Sequence, residues 1–319
     1  MRLLLSILWL LCPAYALAQT SQEIAEQDAR LARIGDQMLI ANARLCRQTM
    51  PVTGMVLHSV DQYGAGAEGM FANGPLAIAQ IVPGSAADLA GLTAGDTIVA
   101  IGTLPVSVIA PPNDIHLREV AFDLLANLPE GEEVNLSVAR NGEHRTIAFA
   151  APRGCRSLVE ILLAEGTDAR SNGRVVQVQF EFAATLNDEQ LAVILAHELA
   201  HTVLEHRRRK EAEGIDNTSI WRHVGRNQRV NRQAEVEADR LSIHLLANAG
   251  YDPALVSQFW QSAEGIRAGG GMISSFIYPS QAVRAVIVSN EIAMYLPLRR
   301  GPSWPGHLIE LRERNLAED

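Results

Sequence analysis

Apolar and polar positions divide the chain into stretches with different periods. In the first segment, 19–50, apolar and charged positions recur at helical spacing over residues 21–48. This pattern predicts an amphipathic helix. Residues 51–153 contain short β-type runs separated by Gly and Pro. Residues 154–319 are dominated by longer helical stretches. The pattern predicts a multidomain α+β fold, with a β-rich domain followed by a mostly helical domain.

The β-rich stretch is predicted to form a small sheet with two helices. Asn141-Gly142 is a strong hairpin turn signal between two alternating runs. We predict strands at 76–82 and 97–101, a hairpin of 134–140 with 146–150, and helices at 86–90 and 119–128.

The most apolar stretch of the second half, residues 191–206, lacks Gly and Pro and is predicted to be a buried helix. It contains His197-Glu198-Leu199-Ala200-His201, an H-E-x-x-H pattern. Residues four apart share a helix face, so His197 and His201 can reach one ion. Glu198 lies where its carboxylate can hold an activated water. Imidazole ligands favour zinc, and three protein ligands leave a position for water.

A second helix, predicted at 229–249, supplies acidic groups for this site. Glu235 and Asp239 are four apart and share a face, whereas Glu237 points about 200° away from Glu235. Zinc needs a third ligand, and its histidines need carboxylate partners. We therefore assign Glu235 to the metal and Asp239 to a hydrogen bond with His197 or His201.

Other polar positions have open roles. Residues 168–173 are polar and turn-like, and the alternating run 174–180 is either an edge strand that holds an extended substrate or one more strand of a small sheet. His206 falls off the metal face and is assigned to the support of the site or to the surface. His307 is an outside candidate for stabilising an oxyanion.

Composition and charge narrow the class of protein. The chain has 319 residues, of which 48% are hydrophobic and 20% charged, so it is long enough for two globular domains. The formal net charge of −9 shows no basic excess, which argues against a nucleic-acid-binding protein.

The pattern of residues 1–18 predicts a signal peptide. One Arg precedes the apolar run 3–11, and Ala16-Leu17-Ala18 fits an A-x-A cleavage site. The run is shorter than the ~20 residues of a membrane-spanning helix, and Cys12 stands in a poor context for lipid attachment. We expect export with cleavage after Ala18.

Cleavage would leave two cysteines, Cys46 and Cys155, at the two ends of the β-rich domain. An even pair in an exported protein predicts a disulfide that joins these ends. Two buried free thiols are the alternative.

Residues 51–153 resemble a bacterial-type PDZ domain, and the match is most specific at residues 82–102. The resemblance rests on Val82-Pro83-Gly84-Ser85-Ala86-Ala87, on Ala90-Gly91-Leu92 and on Gly95-Asp96-Thr97-Ile98. The family binds extended peptides, often C-termini, by strand addition. It implies protein or peptide partners, such as unfolded or C-terminal segments; the alternative is a domain that only packs or gates.

The helical half resembles the HtpX/BepA-type zinc metallopeptidases, which are gluzincins. The resemblance is carried, in this order, by His197-Glu198-x-x-His201, by Glu235-x-x-x-Asp239 and by Ala249-Gly250-Tyr251-Asp252-Pro253. It implies a mostly helical zincin domain over 154–319 with one Zn²⁺ per chain. The implied ligands are His197, His201 and Glu235, with Glu198 as general base.

One motif departs from that family, which often carries His-Pro-Ser followed by Arg. Here the counterpart is Tyr278-Pro279-Ser280 with Arg284. Tyr278 could hydrogen-bond the tetrahedral oxyanion or cover the metal, or it could have no chemical role.

Together these features predict an exported zinc endopeptidase whose PDZ domain recruits or gates protein substrates. The resemblance implies a periplasmic or cell-envelope location in a bacterium, peripheral envelope association and protein quality control. The rival interpretation is a PDZ peptide-binding or chaperone-like protein with a capped, largely inactive zinc site.

Overall fold

The computed structural model describes residues 12–63, 68–113, 115–163, 169–215, 225–268, 280–296 and 301–316, with residues 12–22 and 68 described as backbone only. No helix within these ranges is long and apolar enough to cross a membrane. The expected signal peptide lies partly outside them, and Ala18 falls within the first helix.

Twenty-two helices and strands make up the described ranges, apart from short 3-10 turns. The helices are Cys12–Ala41 (α1), Ala86–Leu89 (α2), Leu117–Ala126 (α3), Phe180–Thr185 (α4), Asp188–Val203 (α5), His206–Ala212 (α6), Gly225–Asn248 (α7), Ala254–Gln261 (α8), Ala263–Ala268 (α9), Gln281–Tyr295 (α10) and Gly306–Ile309 (α11). The strands are Thr49–Pro51 (β1), Met55–Ser59 (β2), Leu76–Ile81 (β3), Thr97–Ile101 (β4), Leu104–Pro105 (β5), Val134–Arg140 (β6), Glu143–Phe149 (β7), Arg153–Cys155 (β8), Leu158–Leu162 (β9), Ala169–Ser171 (β10) and Val175–Gln179 (β11).

The β-rich domain is an antiparallel sheet in the order β2-β3-β4-β6-β7, with β5 beside β4. The hairpin of β6 and β7 turns at Asn141 and Gly142, whose positive φ angles of 52° and 80° fit a type I′ turn. The sheet and α3 bury their own apolar cluster, which includes Ile78, Ile98 and Leu136. The strands and helices thus follow the predicted order, and β2 is left at one edge of the sheet.

The helical domain contains a three-stranded sheet in the order β10-β11-β9, in which β11 runs parallel to β9 and antiparallel to β10. Of the two alternatives for residues 174–180, the structure shows the second, a strand of a small sheet, because β11 is its central strand. The predicted turn at 168–173 contains the edge strand β10. The reason is that Ala169-Arg170-Ser171 has no apolar alternation, so its pairing with β11 leaves no local signature.

α1 packs with the helical domain. Leu31, Ile34 and Met38 are buried in the same apolar cluster as the centre of α5. Gly35 permits a close approach to β9, because a Cβ at that position would lie 3.3 Å from Val159. The amphipathic pattern near the N-terminus therefore forms part of the domain that holds the histidine helix.

The two ends of the β-rich domain are joined in two ways. Cys46 and Cys155 form a disulfide across 109 positions of sequence, as the cysteine count predicted. Beside it, β1 pairs with β8, so that Thr49 lies opposite Cys155. These links hold the β-rich domain to the helical one at its entry and exit.

Candidate metal centre

α5 begins with a capping box that sets the position of the histidine motif. The Asn187 side chain accepts the Gln190 backbone N–H at 2.8 Å, and the Gln190 side chain accepts the Asn187 N–H at 2.9 Å. Arg30 and Arg33 of α1 pair with Asp188 in the first turn. Every residue from Leu191 to Ala200 is buried, so the motif lies inside the domain.

His197, His201 and Glu235 converge; we call these three residues the metal cluster. The Nε2 atoms of the two histidines are 3.2 Å apart. Glu235 Oε2 lies 3.2 Å from His197 Nε2, and Glu235 Oε1 lies 3.6 Å from His201 Nε2. α7 delivers Glu235 by packing along α5.

The spacing of the metal cluster fits zinc. With Zn–N and Zn–O bonds of about 2.0–2.2 Å, two ligands of a tetrahedral site lie roughly 3.3–3.5 Å apart. Without a metal, one of the two facing Nε2 atoms can donate a hydrogen bond to the other; with both Nε2 atoms deprotonated, a cation between them can accept both lone pairs. Two histidines and one carboxylate are also a zinc donor set that leaves a position open.

His197 is supported from behind by Asp239. Asp239 Oδ1 lies 3.1 Å from His197 Nδ1, although this contact lacks the alignment of a direct hydrogen bond. Arg284 fixes Asp239 through two 2.6 Å hydrogen bonds, from Nε and Nη2. The Arg284 guanidinium stacks 3.3 Å from the Trp260 ring centroid. Of the two histidines left open by the spacing argument, Asp239 therefore faces His197.

His201 is supported by a different chain of contacts. His201 Nδ1 is 2.8 Å from His206 Nδ1, and His206 Nε2 is 3.0 Å from Glu237 Oε2. With His201 Nε2 turned to the metal, its Nδ1–H donates to His206, whose Nε2–H donates to Glu237. Arg209 Nη1 donates to the same carboxylate at 2.5 Å. All three supporting residues are buried.

Helical periodicity misses this second support. The histidine helix was predicted to continue to 206, but α5 ends at Val203, and Glu205 adopts a left-handed conformation with φ of 53°. The chain therefore changes direction, and His206 comes back against His201. Glu237, two residues from Glu235, reaches the site through His206 from the other face of α7. An acid two residues from Glu235 on the same helix was the only sequence signal for this role.

The electrostatics of the metal cluster favour a cation. Burial lowers the pKa of His197, but the carboxylates of Asp239 and Glu235 together raise it to about 10. Burial holds the pKa of His201 well below its usual value. The pKa of Glu235 is well below its ordinary value because the two histidines outweigh its burial. The centre therefore keeps its carboxylates ionised and binds one positive charge readily.

Glu198 follows the first histidine directly and is 9% exposed. Its negative charge favours the charged form of Lys210, whose pKa is lowered overall by burial, and of Arg284. The carboxylate is therefore near two cations as well as the metal cluster.

The sequence named two candidates for oxyanion stabilisation. Tyr278 lies outside the described residues; Ser280, two residues later, caps α10, and Arg284 follows one turn after it. His307 is not brought to the metal cluster. Its Nε2 lies 2.6 Å from Glu291 Oε1 instead.

We call His244, Glu291 and His307 the second cluster. His244 Nε2 lies 3.3 Å from Glu291 Oε1, and Arg240 Nε donates to Glu291 Oε2 at 2.7 Å. The Tyr295 ring stacks on His307 with centroids 3.9 Å apart. The ligand atoms of the second cluster, like those of the metal cluster, lie within 4.8 Å of one another.

An edge strand lies beside the histidine helix. β10 packs against α5, and Ser171 Oγ is 3.0 Å from Thr202 Oγ1, one residue after His201. Among the described strands, β10 pairs only with β11. An extended chain can add to its open side next to the metal cluster.

Comparison with known families identifies residues 78–140 as a PDZ domain. This confirms the PDZ resemblance at the level of the family, over 63 of the 319 residues. The match lies within the β-rich domain and does not extend to the histidine helix. No curated protein matches the chain.

Proposed function

We propose that the protein is an exported, zinc-dependent endopeptidase whose PDZ domain recruits or gates its protein substrates. The PDZ domain itself supports peptide or protein binding. The proposed hydrolysis adds a second activity in the helical domain. Envelope protein quality control is the biological setting implied by the resemblance to HtpX/BepA-type peptidases.

The convergence of His197, His201 and Glu235 is the single observation that carries the proposal. Their ligand atoms are 3.2–3.6 Å apart, as a tetrahedral zinc site requires. The supports from Asp239 and His206 orient both imidazoles with Nε2 toward one point. A chance meeting of three such residues would not need this double support.

The residues around the metal cluster can divide the work of peptide hydrolysis. Zinc bound there would polarise the scissile carbonyl and lower the pKa of a water. Glu198 would accept the proton of the attacking water and deliver it to the leaving amine. Asp239 and His206 keep each imidazole in the tautomer that leaves Nε2 free. The open side of β10 would hold the substrate backbone.

Export is part of the proposal. The N-terminal sequence supports a signal peptide cleaved after Ala18, and the Cys46–Cys155 disulfide suits an oxidising compartment such as the periplasm. Among the residues of α1 whose side chains the structure describes, 23–41, the first buried one is Leu31.

Cleavage of an unfolded protein by the mature chain and by Glu198→Gln tests the proposal. We expect the purified protein to contain about one zinc per chain and to cleave the substrate. Glu198→Gln should retain zinc and lose roughly 10²–10⁴-fold in rate, because the general base is removed. Undiminished cleavage by this variant would exclude Glu198 as the base.

The rival function is peptide binding without hydrolysis, and the PDZ match favours it specifically. In that case the metal cluster would be capped and largely inactive, with Tyr278 as one possible cap. Full zinc content together with no cleavage of any unfolded protein, but measurable peptide binding, would support this alternative.

A further inference from the structure

A cavity of about 90 Å³ lies between β2 and α3 of the PDZ domain. Its apolar walls include Val56 and Leu57 from the β2 side and Phe122 and Leu125 from α3. It is smaller than the roughly 150 Å³ apolar cavity that admits a benzene ring. The space therefore suits one small aliphatic side chain.

The cavity is also walled by the helical domain. α1 contributes Ala32, Asp36 and Leu39, and β9 contributes residues 158–160, with Ser157 just before the strand. Among the described strands, β2 and β9 are both edge strands of their sheets. A peptide added to the open side of β2 would thus touch both domains.

Of the charged groups that line this groove, two form an ion pair and one does not. Arg118 of α3 pairs with Glu160 of β9, and Gln177 Nε2 donates to the same carboxylate at 2.6 Å. Arg118 and Glu160 therefore neutralise each other. Asp36 also lines the cavity, but it forms no hydrogen bond or ion pair with any of the other described lining residues.

A second acid lies earlier on α1, outside the lining of the cavity. Asp28 lies two turns before Asp36 on α1, accepts the Ile161 backbone N–H, and senses both Glu160 and Arg118. Burial raises the pKa of Asp36 to about 7. Burial is also the main reason that the pKa of Asp28 is raised to about 6. A partly buried carboxyl without a partner is costly to ionise, and a cation from a ligand would remove that cost.

A terminal carboxylate at the start of β2 would have to rely on the Thr53 and Gly54 N–H groups, because the other two backbone donors of residues 52–55 are engaged. The Val52 N–H donates to Pro152 O at 2.8 Å, and the Met55 N–H is directed at Thr53 Oγ1 at 3.3 Å. Gly54, with φ of 83°, lies so close to Ser85 that a Cβ would be 2.1 Å from it. Two backbone donors of this loop are thus already used, and Ser85 closes its side.

We propose that the groove between β2 and α3 binds an extended peptide through a small aliphatic side chain and an adjacent basic group. The aliphatic side chain fills the cavity, and the ammonium or guanidinium meets Asp36. The peptide backbone adds to the edge of β2. This inference rests on the peptide-binding part of the proposed function and names its ligand class; it does not depend on zinc.

Peptide binding by the full mature chain carrying Glu198→Gln tests this, because no cleavage then disturbs the measurement. The probes are three fluorescein-labelled decapeptides. One carries Val-Lys at its centre with both ends blocked, a second has Val-Glu in the same place, and a third ends in a free Val carboxylate without a basic residue. Fluorescence anisotropy gives the three dissociation constants.

We expect the Val-Lys peptide to bind at least about tenfold more tightly than the Val-Glu peptide, a difference of about 1.4 kcal/mol. Asp36→Asn should remove most of this preference. It should not unfold the protein, since it replaces an unpartnered carboxyl with an amide. Glu23→Gln changes an exposed acid of the same helix and should leave the preference unchanged.

Each contrary result has a distinct meaning. Equal binding of the two blocked peptides, or a preference that survives Asp36→Asn, would overturn the assigned ligand class. Tighter binding of the free-carboxylate peptide would overturn it as well, while leaving PDZ peptide binding intact. If none of the three peptides binds, both the ligand class and the peptide-binding function fail, and a segment of the chain itself or a second copy would be the occupant.

Discussion

The metal cluster and the second cluster contain the same side-chain types, and α7 contributes a residue to each. They differ in what the ligand atoms already do. In the metal cluster the two imidazole Nε2 atoms face each other at 3.2 Å, a long contact that either one N–H donor or a cation can satisfy. In the second cluster His307 Nε2 is 2.6 Å from Glu291 Oε1, which is a hydrogen bond.

The residues around the two clusters also differ in which ligand atoms they leave available. In the metal cluster, Asp239 faces Nδ1 of His197. Glu237 faces Nε2 of His206, which in turn contacts Nδ1 of His201. The Nε2 atoms of His197 and His201 therefore stay available inside the cluster. In the second cluster Arg240 occupies the other oxygen of Glu291, and Ser303 Oγ is 2.6 Å from His244 Nδ1. Two histidines and a glutamate therefore do not define a metal site by themselves; the partners of their remaining atoms decide it.

Zinc content gives the largest expected difference between the clusters. His201→Ala removes one of three ligands and should reduce zinc from about one per chain to nearly none. His244→Ala should leave zinc in place, because the second cluster is held by hydrogen bonds. Elemental analysis after dialysis, with circular dichroism to check folding, measures both. Loss of zinc in His244→Ala alone would reverse the assignment of the two clusters.

Glu291 should show its role in the pH dependence of stability. Burial raises its pKa, but hydrogen bonds from His244, Arg240 and His307 lower it to about 2 in the folded chain, against 4.5 in the reference state. The stabilisation is therefore complete above about pH 4.5 and is lost as pH falls toward 2. We expect Glu291→Gln to cost about 2–3 kcal/mol in the free energy of unfolding at pH 7.

Urea unfolding of the wild type and of Glu291→Gln between pH 7 and pH 3.5 measures this difference. The difference in unfolding free energy between the two proteins should shrink as the pH falls below about 4.5. A difference that stays constant with pH would mean that packing, and not the charge of Glu291, links α7 to α10.

The smallest expected effect concerns the support of the metal cluster. Glu237→Gln removes the negative charge that holds His206 against His201, and should weaken zinc binding about 10–100-fold. Glu211→Gln, which changes an exposed acid of α6, is the matched control. Competition with a chromogenic chelator measures the affinity. Equal affinity of the two variants would show that the relay does not tune the metal cluster.

Local patterns accounted for the features that lie within one element. The alternation and the Asn141-Gly142 turn predicted the hairpin, and helical spacing placed His197 and His201 on one face and Glu235 with Asp239 on another. These predictions succeed because the side-chain periods of strands and helices are properties of the backbone alone. The cysteine pair could be matched because only two cysteines were expected to remain.

Only the tertiary structure decided which distant groups meet. The left-handed Glu205 turns His206 back to His201, and the packing of α10 brings Arg284 to Asp239 while it leaves His307 with Glu291. Likewise, β10 gains its place by pairing with β11 rather than from its own sequence. The sequence by itself determined the period of each element and the motif on one helix face. Contacts between elements depend on chain reversals and on packing across many residues, which no local period encodes.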